Sequence, residues 1–539
     1  MSTRVAILGG GVGGLSAAQE LAERGYEVEV YERRPGFGGK ARSIPVPNSA
    51  LPGRKPLPGE HGFRFFPSFY KHLPDTMKRI PFAGRSVFDN LVYATRVQIA
   101  RAGKVTIIEP SQFPQTLDDW RTVFDSLCSN LGIPEDEVTF FIDRLLVLLT
   151  TCPERRLAEY ENIAWWDFIG ANQRSVSYRR YLGEGLTRSL VAMKAEVGST
   201  RTVGYILLQL LFGVLNFGGG FDRLLNGPTN EAWIDPWLVY LKSLGVNLQG
   251  GNLVRSIDLD GQRVAKVMVE QPGGVSAVTA DYYVSALPIE IMAALMTDDI
   301  KKAAPSLANL DKLQTRWMNG IQFYLHNDVP LVRGHSNYLD SPWALTSVSQ
   351  RQFWPGLDFS SLGDGQVGGI LSVDISDWNA PGIAYGKSAL ECTAEEIKNE
   401  VWAQLKVHLN NDGIEQIKDS NLHSWFLDPD IQFPNPSAVT NLEPLLINPA
   451  GSLQYRPEAY TEIPNLFLAS DYVRTYTDLA TMEAANEAAR RSVNALIDTS
   501  RSNSAKAQLW PFEEPEIFKP MRDYDLLRFK LGLPHGKLN

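Results

Sequence analysis

The sequence has few cysteines and no excess of positive charge. Its three cysteines, Cys128, Cys152 and Cys392, are odd in number, far apart and in no CxxC spacing, so neither a disulfide framework nor a zinc site is predicted. We expect three buried thiols. Because 52 Lys and Arg stand against 61 Asp and Glu, for a net charge of −9, the chain lacks the basic surface that a nucleic acid partner needs.

Long apolar runs and targeting signals are also missing. The longest apolar run, residues 205–217, is shorter than the ~20 residues that cross a bilayer, and Gln209, Gly213 and Asn216 interrupt it. It predicts a buried helix or, alternatively, one wall of an apolar substrate cavity. Residues 1–4 lead directly into the apolar residues 5–8, which leaves no room for a secretory signal. We expect a cytoplasmic protein without a transmembrane segment; peripheral membrane contact and oligomeric state stay open.

What is present is the composition of an ordinary globular protein. Hydrophobic residues make up 44% and charged residues 21% of the chain, which excludes collagen-like and intrinsically disordered classes. A chain of 539 residues is long enough for more than one hydrophobic core. It contains no internal repeat and no low-complexity segment. We therefore expect an acidic, multidomain enzyme.

The start of the chain has the pattern of a strand, a glycine-rich turn, a helix and a second strand. Apolar residues 5–8 precede GGGVGG at residues 9–14, apolar residues at helical spacing follow up to Gly25, and residues 27–32 alternate between Glu and mainly apolar residues. Gly9, Gly11 and Gly14 take the three glycine positions of GxGxxG, which serve a tight turn, close approach to a pyrophosphate and close packing of helix on strand. The pattern predicts a dinucleotide-binding βαβ unit.

Glu32 strengthens this prediction. A carboxylate about 20 residues after the turn accepts hydrogen bonds from the adenosine ribose hydroxyls and repels a 2′-phosphate, while the phosphates lie against the positive helix N-terminus. The alternative is a glycine-rich turn in an ordinary βαβ unit. The βαβ unit by itself leaves NAD and FAD open.

The residues after Glu32 favour FAD. Residues 32–43, ERRPGFGGKARS, resemble the extension with an acid, an arginine, a Gly-Gly pair and a basic residue found in the phytoene desaturase and amine oxidase superfamily of flavoproteins. Gly38 and Gly39 would let the loop pass close to the cofactor, and Arg34, Lys40 and Arg42 would neutralise its diphosphate. Lys40 stands where many relatives carry Arg, which implies a point-charge contact in place of a bidentate one. A solvated basic loop is the alternative.

Three distant segments carry the same resemblance. Residues 59–67, GEHGFRFFP, match the loop beside the flavin ring, with His61 and Arg64 as the candidates for a catalytic role and a satisfied loop histidine as the alternative for His61. The strand near Val254 resembles the one whose main chain contacts adenine. The resemblance implies that Asp471 binds the ribityl or diphosphate region. It also implies that the helix after Thr481 points its N–H groups at the flavin, which favours electron acceptance.

The sequence thus predicts a set of cofactor-binding residues and no metal site. The predicted set is Gly9, Gly11, Gly13, Gly14, Glu32, Arg33, Arg34, Gly38, Gly39, Lys40, Arg42, His61, Gly62, Phe63, Arg64, Val254, Asp471, Thr481 and Met482.

The resemblance implies an α/β fold. We expect a Rossmann-like FAD-binding domain of the glutathione-reductase type with an interleaved α+β substrate domain and a helical cap. The FAD-binding domain would be discontinuous and comprise residues 1–95, 228–300 and 440–500. Residues 96–227 would form the helical cap, residues 301–439 a substrate domain with an antiparallel sheet, and residues 501–539 a C-terminal surface tail.

The predicted function is that of an FAD-dependent oxidoreductase. No cysteine shortly precedes Asp471, where relatives with covalent flavin carry theirs, so noncovalent FAD is expected. No second GxGxxG lies between a strand and a helix, which disfavours a nicotinamide domain; NAD(P)H as a transient reductant stays open. The cofactor carries the chemistry, so no catalytic triad is required, and none is found.

The resemblance also suggests the substrate class. Residues 61–67, residues 341–345 and the Asp471 region look closer to bacterial phytoene-desaturase-like proteins than to amine oxidases. That group includes carotenoid desaturases, hydroxysqualene dehydroxylases and polyene tetramate macrolactam cyclases, which implies a small-molecule apolar or polyene substrate and either desaturation or hydride-initiated (reductive) cyclisation. A flavin amine oxidase is one alternative. A prenyl binder that resembles GDP-dissociation inhibitors and lacks catalysis is the other, and Glu32, Lys40 and Met482 disfavour it.

Overall fold

The structure is a computed structural model that describes residues 3–104, 106–110, 131–185, 187–188, 193–214, 222–411, 413–435 and 438–536. Cys128 and residues 215–217 of the apolar run lie outside these ranges. Cys152 and Cys392 are buried free thiols, as predicted. Among the described helices, none combines the length and apolar character that a bilayer crossing requires.

A five-stranded parallel sheet organises the dinucleotide-binding part of the molecule. Its strands, in order across the sheet, are Asn247–Gly250, Glu27–Glu32, Arg4–Leu8, Tyr282–Ser285 and Leu466–Leu468. The first three elements of the chain, Arg4–Leu8, the helix Val12–Ala22 and Glu27–Glu32, form the strand–helix–strand unit that the sequence predicts. The sheet therefore brings together three distant parts of the chain, which are residues 4–32, 247–285 and 466–468.

The helix Val12–Ala22 packs on this sheet through its small and apolar residues. Leu15 and Leu21 are fully buried in one core with Ile7 and Val30 of the sheet and with Val493 of the long helix Met482–Ser500. Gly25 has φ +82°, a left-handed conformation that glycine adopts without strain, and it lies in the turn between this helix and the second strand. The two helices pack in one shared core.

A seven-stranded sheet forms the second layered unit. Its strands, in order, are Leu422–Leu427, Asn319–Leu325, Gly369–Ile375, Thr346–Ser349, Gly334–Tyr338, Arg96–Ala100 and Ile107–Pro110. Neighbouring strands are antiparallel, except that Gly334–Tyr338 and Arg96–Ala100 are parallel. The sequence predicts an antiparallel sheet from residues 301–439; in the structure the sheet is mixed, and residues 96–110 cover the edge strand that would otherwise expose unpaired backbone groups.

The two faces of the seven-stranded sheet differ in polarity because successive side chains of a strand point to opposite faces. Ile321, Phe323 and Val373 lie on an apolar face that packs against Ile397 and Val401 of the helix Ala394–Leu409. That helix begins with a capping box between Thr393 and Glu396. The opposite face carries polar side chains and faces the site described below.

Helices from residues 135–214 pack around a separate apolar core. They are Glu135–Thr150, Pro153–Ala158, Trp165–Phe168, Val176–Tyr178 and Thr200–Val214. The last of them contains the described part of the apolar run, and its Val203, Ile206 and Leu207 are buried in this core. The described part of the run is therefore a buried helix.

The described fold also contains smaller sheets and further helices. A three-stranded antiparallel sheet contains Leu253–Asp260, Arg263–Gln271 and Gly274–Val278. Two-stranded pairs are Ser43–Pro45 with Pro58–Glu60, Pro81–Phe82 with Arg85–Ser86, Leu91–Tyr93 with Arg223–Leu225, Thr315–Arg316 with Leu445–Leu446, and Ile431–Asn435 with Ala438–Asn441. Further α-helices are His72–Lys78, Asp235–Ser243, Ile289–Ala294, Asp298–Ala303 and Lys519–Lys530.

The described part of the C-terminal segment is anchored at buried positions. Asp525 of its helix accepts a hydrogen bond from Nε of Arg155 at 3.0 Å and another from the backbone N–H of Cys152 at 2.9 Å. Both side chains of this ion pair are at most 2% exposed. The segment that the sequence predicts as a surface tail thus contributes a buried charge pair to the helical part of the molecule.

Candidate functional site

A large cavity is lined both by the glycine-rich turn and by the polar face of the seven-stranded sheet. Its volume is about 420 Å³. Typical ligand clefts measure roughly 300–1,000 Å³, so this cavity has the size of a small-molecule binding site. Most of the predicted cofactor-binding residues lie on its wall: Gly9, Gly11, Gly13, Glu32, Arg33, Gly38, Gly39, Lys40, His61, Gly62, Phe63, Arg64, Val254, Asp471, Thr481 and Met482.

The N-termini of two helices point into this cavity. Gly11 precedes the first helix without any side-chain cap, and Thr481 precedes the second, where its side chain caps the N–H of Ala484 at 3.0 Å. A Cβ atom at Gly13 would lie 1.9 Å from the Ala469 carbonyl oxygen, so only glycine allows this approach. Free N–H groups and aligned dipoles at helix N-termini attract anions. The cavity therefore presents two positive helix ends to one ligand.

Glu32 holds the glycine-rich turn in place. Its Oε2 accepts a hydrogen bond from the N–H of Gly10 at 2.8 Å, and its Oε1 accepts one from the N–H of Arg34 at 2.9 Å. A carboxylate has about four acceptor positions, so lone pairs remain for ligand hydroxyls. Gly39 has φ +55°, and a Cβ there would lie 2.9 Å from the Cα of Gly11. The second loop therefore packs directly on the first.

Gly14, Arg34 and Arg42 are members of the predicted set that do not lie on the cavity wall. A Cβ at Gly14 would lie 1.9 Å from the Gly9 carbonyl oxygen, so this glycine serves helix-on-strand packing. Arg34 Nη2 lies 2.6 Å from Asp430 Oδ1 and 2.8 Å from Glu443 Oε1, and Arg42 Nη2 lies 3.3 Å from Asp430 Oδ2. Protein carboxylates, which lie far away in the sequence, therefore neutralise the two guanidinium groups.

Lys40 and Glu443 lie on the wall beside these pairs. Lys40 Nζ donates a hydrogen bond to the Pro444 carbonyl at 2.5 Å, and within the described ranges it makes no ion pair. Burial raises the pKa of Glu443, but the charges of Arg42 and Arg34 outweigh burial and hold that pKa well below its ordinary range. Lys40 is thus a cation of the cavity wall, and its charge acts on the nearby carboxyl groups of Glu443 and Glu290.

His61 and Arg64 are held by neighbouring groups. His61 Nδ1 lies 2.6 Å from Asp428 Oδ2, and this contact outweighs burial to hold the pKa of Asp428 below its ordinary value. Arg64 Nη2 donates to the Gly62 carbonyl at 2.5 Å, which curls the loop around its own side chain. A carboxylate that binds one ring nitrogen fixes the orientation of the imidazole. His61 is therefore an oriented group of the cavity wall.

One group of side chains in the described chain has metal-ligand spacing. His61, Asp430 and Glu443 bring ligand atoms within 4.8 Å of one another. Both acids already pair with arginines, as described above, so their charges are balanced without a cation. We assign no metal to this group.

Asp374 and His335 are wall residues that the sequence analysis missed. Asp374 lies in the strand Gly369–Ile375, and its Oδ1 is buried without a hydrogen-bond partner in the described chain. Burial raises the pKa of Asp374 to about 7 against the charges of Arg64 and His61. The one available signal was an acid within an apolar strand pattern, GILSVDI, because buried acids are rare unless they are paired or functional.

His335 packs between two aromatic rings of the 59–67 loop. Its ring centroid lies 5.1 Å from that of Phe63 and 5.2 Å from that of Phe65. Burial lowers the pKa of His335 to about 4, so its imidazole is neutral at physiological pH. No motif in the sequence marks this histidine. The wall beside the loop is thus made of aromatic rings and one neutral imidazole.

Arg456 supports the segment that carries Asp471. This arginine is fully buried and donates to the carbonyl oxygens of Asp471 at 2.5 Å, Val473 and Asp478 at 2.8 Å, and Tyr472 at 3.1 Å. Four carbonyl groups of one irregular segment therefore share a single guanidinium. This arrangement holds Asp471 at the cavity wall.

Residues 12–497 match the family described as flavin containing amine oxidoreductase. The chain is 22% identical to the zeta-carotene desaturase of Synechocystis, over 94% of this chain and 98% of that protein. It is also 22% identical to the 15-cis-phytoene desaturase of Synechococcus elongatus, over 92% and 96% of the two chains. Among solved structures, cyclohexylamine oxidase from Brevibacterium oxydans has a TM-score of 0.59 at 12% identity and covers 93% of this chain and 100% of its own. This likeness shows a common mixed α/β fold.

Proposed function

The chain belongs to the flavin containing amine oxidoreductase family and is an FAD-dependent oxidoreductase, and on that premise we propose that it acts on a long apolar or polyene substrate by desaturation or hydride-initiated cyclisation. The observation that carries this proposal is the extent of the match to two carotenoid-pathway desaturases, which spans 92–94% of the chain. Phe63, Phe65, Ile291 and Met318 on the cavity wall support it because they offer apolar contact to such a chain.

The wall residues fit FAD without a covalent bond. The uncapped helix start at Gly11 and the charge of Lys40 suit the diphosphate, Glu32 suits the ribose hydroxyls, and Val254 suits the adenine. Gly13 lets the first helix approach the Ala469 carbonyl closely, which keeps the start of this helix at the cavity wall. Of the cysteines that the structure describes, Cys152 and Cys392, neither lies on this wall. We therefore propose noncovalent FAD.

The second helix and the 59–67 loop would serve the flavin end. When bound, the flavin supplies the capacity to accept two electrons and one hydrogen from the substrate. The positive N-terminus at Met482 favours negative charge nearby, which makes electron acceptance easier. Phe63 and Phe65 pack on His335 and give this part of the cavity an aromatic wall. The chain thus binds and orients the reactants.

A flavin amine oxidase is the second candidate. The fold shared with cyclohexylamine oxidase favours it, and Asp374 offers a carboxylate to an amine substrate. NAD(P)H as a transient reductant belongs to the proposal of reductive cyclisation. Oxidation of an amine and oxidation of a polyene give different products, so the two candidates are separable by experiment.

The purified protein tests these proposals directly. We expect a yellow protein that releases FAD on denaturation; a colourless protein would favour a prenyl binder without catalysis. Incubation with polyenes, with and without NADPH, is then followed by mass spectrometry. Loss of two hydrogens indicates desaturation, gain indicates reductive cyclisation, and unchanged mass indicates isomerisation. Flavin reduction by amines alone under anaerobic conditions contradicts the polyene proposal.

A further inference from the structure

We propose that Asp374 is a catalytic residue of this cavity, the base that takes up a proton from the substrate during its oxidation. The inference rests on the proposed function as an oxidoreductase and deepens it. Neither the family resemblance nor the motifs of the sequence point to this residue, which lies more than 300 positions after the glycine-rich turn.

The backbone places Asp374 on the cavity face of the seven-stranded sheet. In the sheet register it lies opposite Thr346 on one side and opposite Gly320 on the other. Residues directly opposite each other share a face, and Thr346 also lies on the cavity wall. A Cβ at Gly62 would lie 2.7 Å from Asp374 Oδ1, so the carboxyl group sits against the backbone of the 59–67 loop. The position joins the sheet to the loop that lines the cofactor cavity.

Asp374 accepts a hydrogen bond from the backbone N–H of Phe63, but one of its two oxygens is left without a partner, unlike those of Glu32 and Asp428. Glu32 accepts two backbone N–H groups, and Asp428 binds His61, Asn319 and the N–H of Asp430. Asp374 Oδ1 is buried and has no hydrogen-bond partner in the described chain. Buried polar atoms in native proteins are nearly always satisfied, so an exception on a cavity wall points to a ligand as the missing partner.

The charges around Asp374 suit proton exchange at neutral pH. Burial raises the pKa of Asp374, the charges of Arg64 and His61 and the hydrogen bond from the N–H of Phe63 lower it, and the charge of Glu60 raises it. His335, on a neighbouring part of the same wall, is neutral because burial lowers its pKa. The resulting pKa of about 7 leaves both protonation states populated near physiological pH. General bases work best when their pKa lies near the working pH.

The proposed step balances atoms and charge. Oxidation of a CH–CH unit removes one hydrogen with its electron pair, for which oxidised flavin is the acceptor, and the adjacent hydrogen leaves as a proton. The second C–H bond breaks, its electron pair becomes the new double bond, and an O–H bond forms on Asp374. An amine substrate would lose an N–H proton in the same way. In a reductive cyclisation, protonated Asp374 would donate a proton to the substrate.

Infrared titration of the FAD-loaded protein tests the protonation of Asp374 without any turnover. We expect a protonated-carboxyl band that disappears with a midpoint near pH 7 in the wild type and is absent from Asp374→Asn. Asp222→Asn is the matched control, because Asp222 is also buried, its pKa is raised by burial to about 6, and it does not line the cavity. This control should keep the band near pH 7. An identical band in Asp374→Asn overturns the proposal.

Single-turnover reduction of the flavin tests the proton transfer itself. Removal of a general base typically costs 10²–10⁴-fold in rate, so we expect a loss of at least about 100-fold in Asp374→Asn and partial recovery in Asp374→Glu. The wild-type rate should rise with pH to a plateau above about 7, and this rise should vanish in Asp374→Asn. Equal rates and equal pH profiles overturn the proposal. If no polyene reduces the wild type but an amine does, the polyene proposal fails while the amine reaction still tests Asp374.

Discussion

Nη2 of Arg34 donates a hydrogen bond to Oε1 of Glu443 at 2.8 Å, across 409 positions of the chain. This hydrogen bond connects the basic loop after the glycine-rich turn to a segment that follows the last strand of the seven-stranded sheet in the chain. The same oxygen of Glu443 lies 2.9 Å from Nη2 of Arg33. A single carboxylate therefore orders the cationic side of the cavity before any ligand enters.

Glu443→Gln should destabilise the protein in a pH-dependent way. Removal of one partner from a buried ion pair costs about 3–5 kcal/mol. Because the folded-state pKa of Glu443 is depressed below the ordinary value, its contribution is present at pH values above about 4.3 and is lost as the pH falls below it. In thermal melts between pH 3 and 8, the Tm of the variant should lie below that of the wild type at pH 7, and this difference in Tm should narrow at acid pH. Glu415→Gln, at an exposed position, is the control. A difference in Tm that does not depend on pH would contradict the prediction.

Glu32→Ala should weaken flavin binding. The substitution removes the acceptor of the Gly10 and Arg34 N–H groups and the carboxylate proposed to bind the ribose. Hydrogen bonds to a charged group contribute about 1.5–3 kcal/mol, so affinity should fall about 10- to 100-fold. Fluorescence titration of the apoprotein with FAD measures this loss. Glu29→Gln, on the same strand, should bind normally, and unchanged affinity in Glu32→Ala would refute the role of Glu32.

Gly13→Ala should abolish flavin retention. Its Cβ would lie 1.9 Å from the Ala469 carbonyl oxygen, which forces the first helix away from the wall. Gly36→Ala is a matched control, because a Cβ there meets nothing within 4 Å and its backbone is not left-handed. That control should be neutral or more stable by roughly 0.4–1 kcal/mol. Absorbance of the purified proteins measures flavin content, and a fully loaded Gly13→Ala protein would contradict this account.

Arg456→Met should loosen the segment that carries Asp471. The variant keeps much of the side-chain volume but leaves four carbonyl groups without their donor. Each buried acceptor left unsatisfied costs about 1–3 kcal/mol, so both Tm and flavin content should fall. Arg255→Ala, which breaks only an exposed pair with Glu270, should change neither. Proteolysis that cuts the variant near residues 471–478 and spares the wild type would locate the effect.

The sequence predicts the elements of the glycine-rich site well because their signals are local. The strand Arg4–Leu8, the turn, the helix Val12–Ala22 and the strand Glu27–Glu32 follow one another, and each has its own periodicity. Glu32 and the Gly38–Gly39 pair lie within the same short stretch. The periodicity that predicts the strands and the helix and the residues that predict the ligand therefore lie in one segment. Their prediction requires no knowledge of contacts between distant parts of the chain.

The partners of that segment could not be predicted in the same way. Asp430 and Glu443 pair with Arg34 and Arg42 only because the chain returns to this loop after the last strand of the seven-stranded sheet. Asp374 reaches the cavity through a register between strands that no local pattern encodes. The contact of Arg34 and Arg42 with a diphosphate stays a prediction, but both side chains pair with protein carboxylates away from the cavity wall, and a motif does not show which carboxylates compete for its cations.

Successive side chains in the seven-stranded sheet point to opposite faces, so the residues that pack in the core differ from those that face the ligand cavity. Positions such as Ile321 and Val373 contact the core under the helix Ala394–Leu409, whereas their neighbours Gln322 and Asp374 project from the opposite side. Thr346 and His335 lie on that side and line the cavity, so substitutions there can reshape the ligand's surroundings while the core keeps its contacts. Directed evolution of a new substrate range would begin with these two codons and keep Asp374.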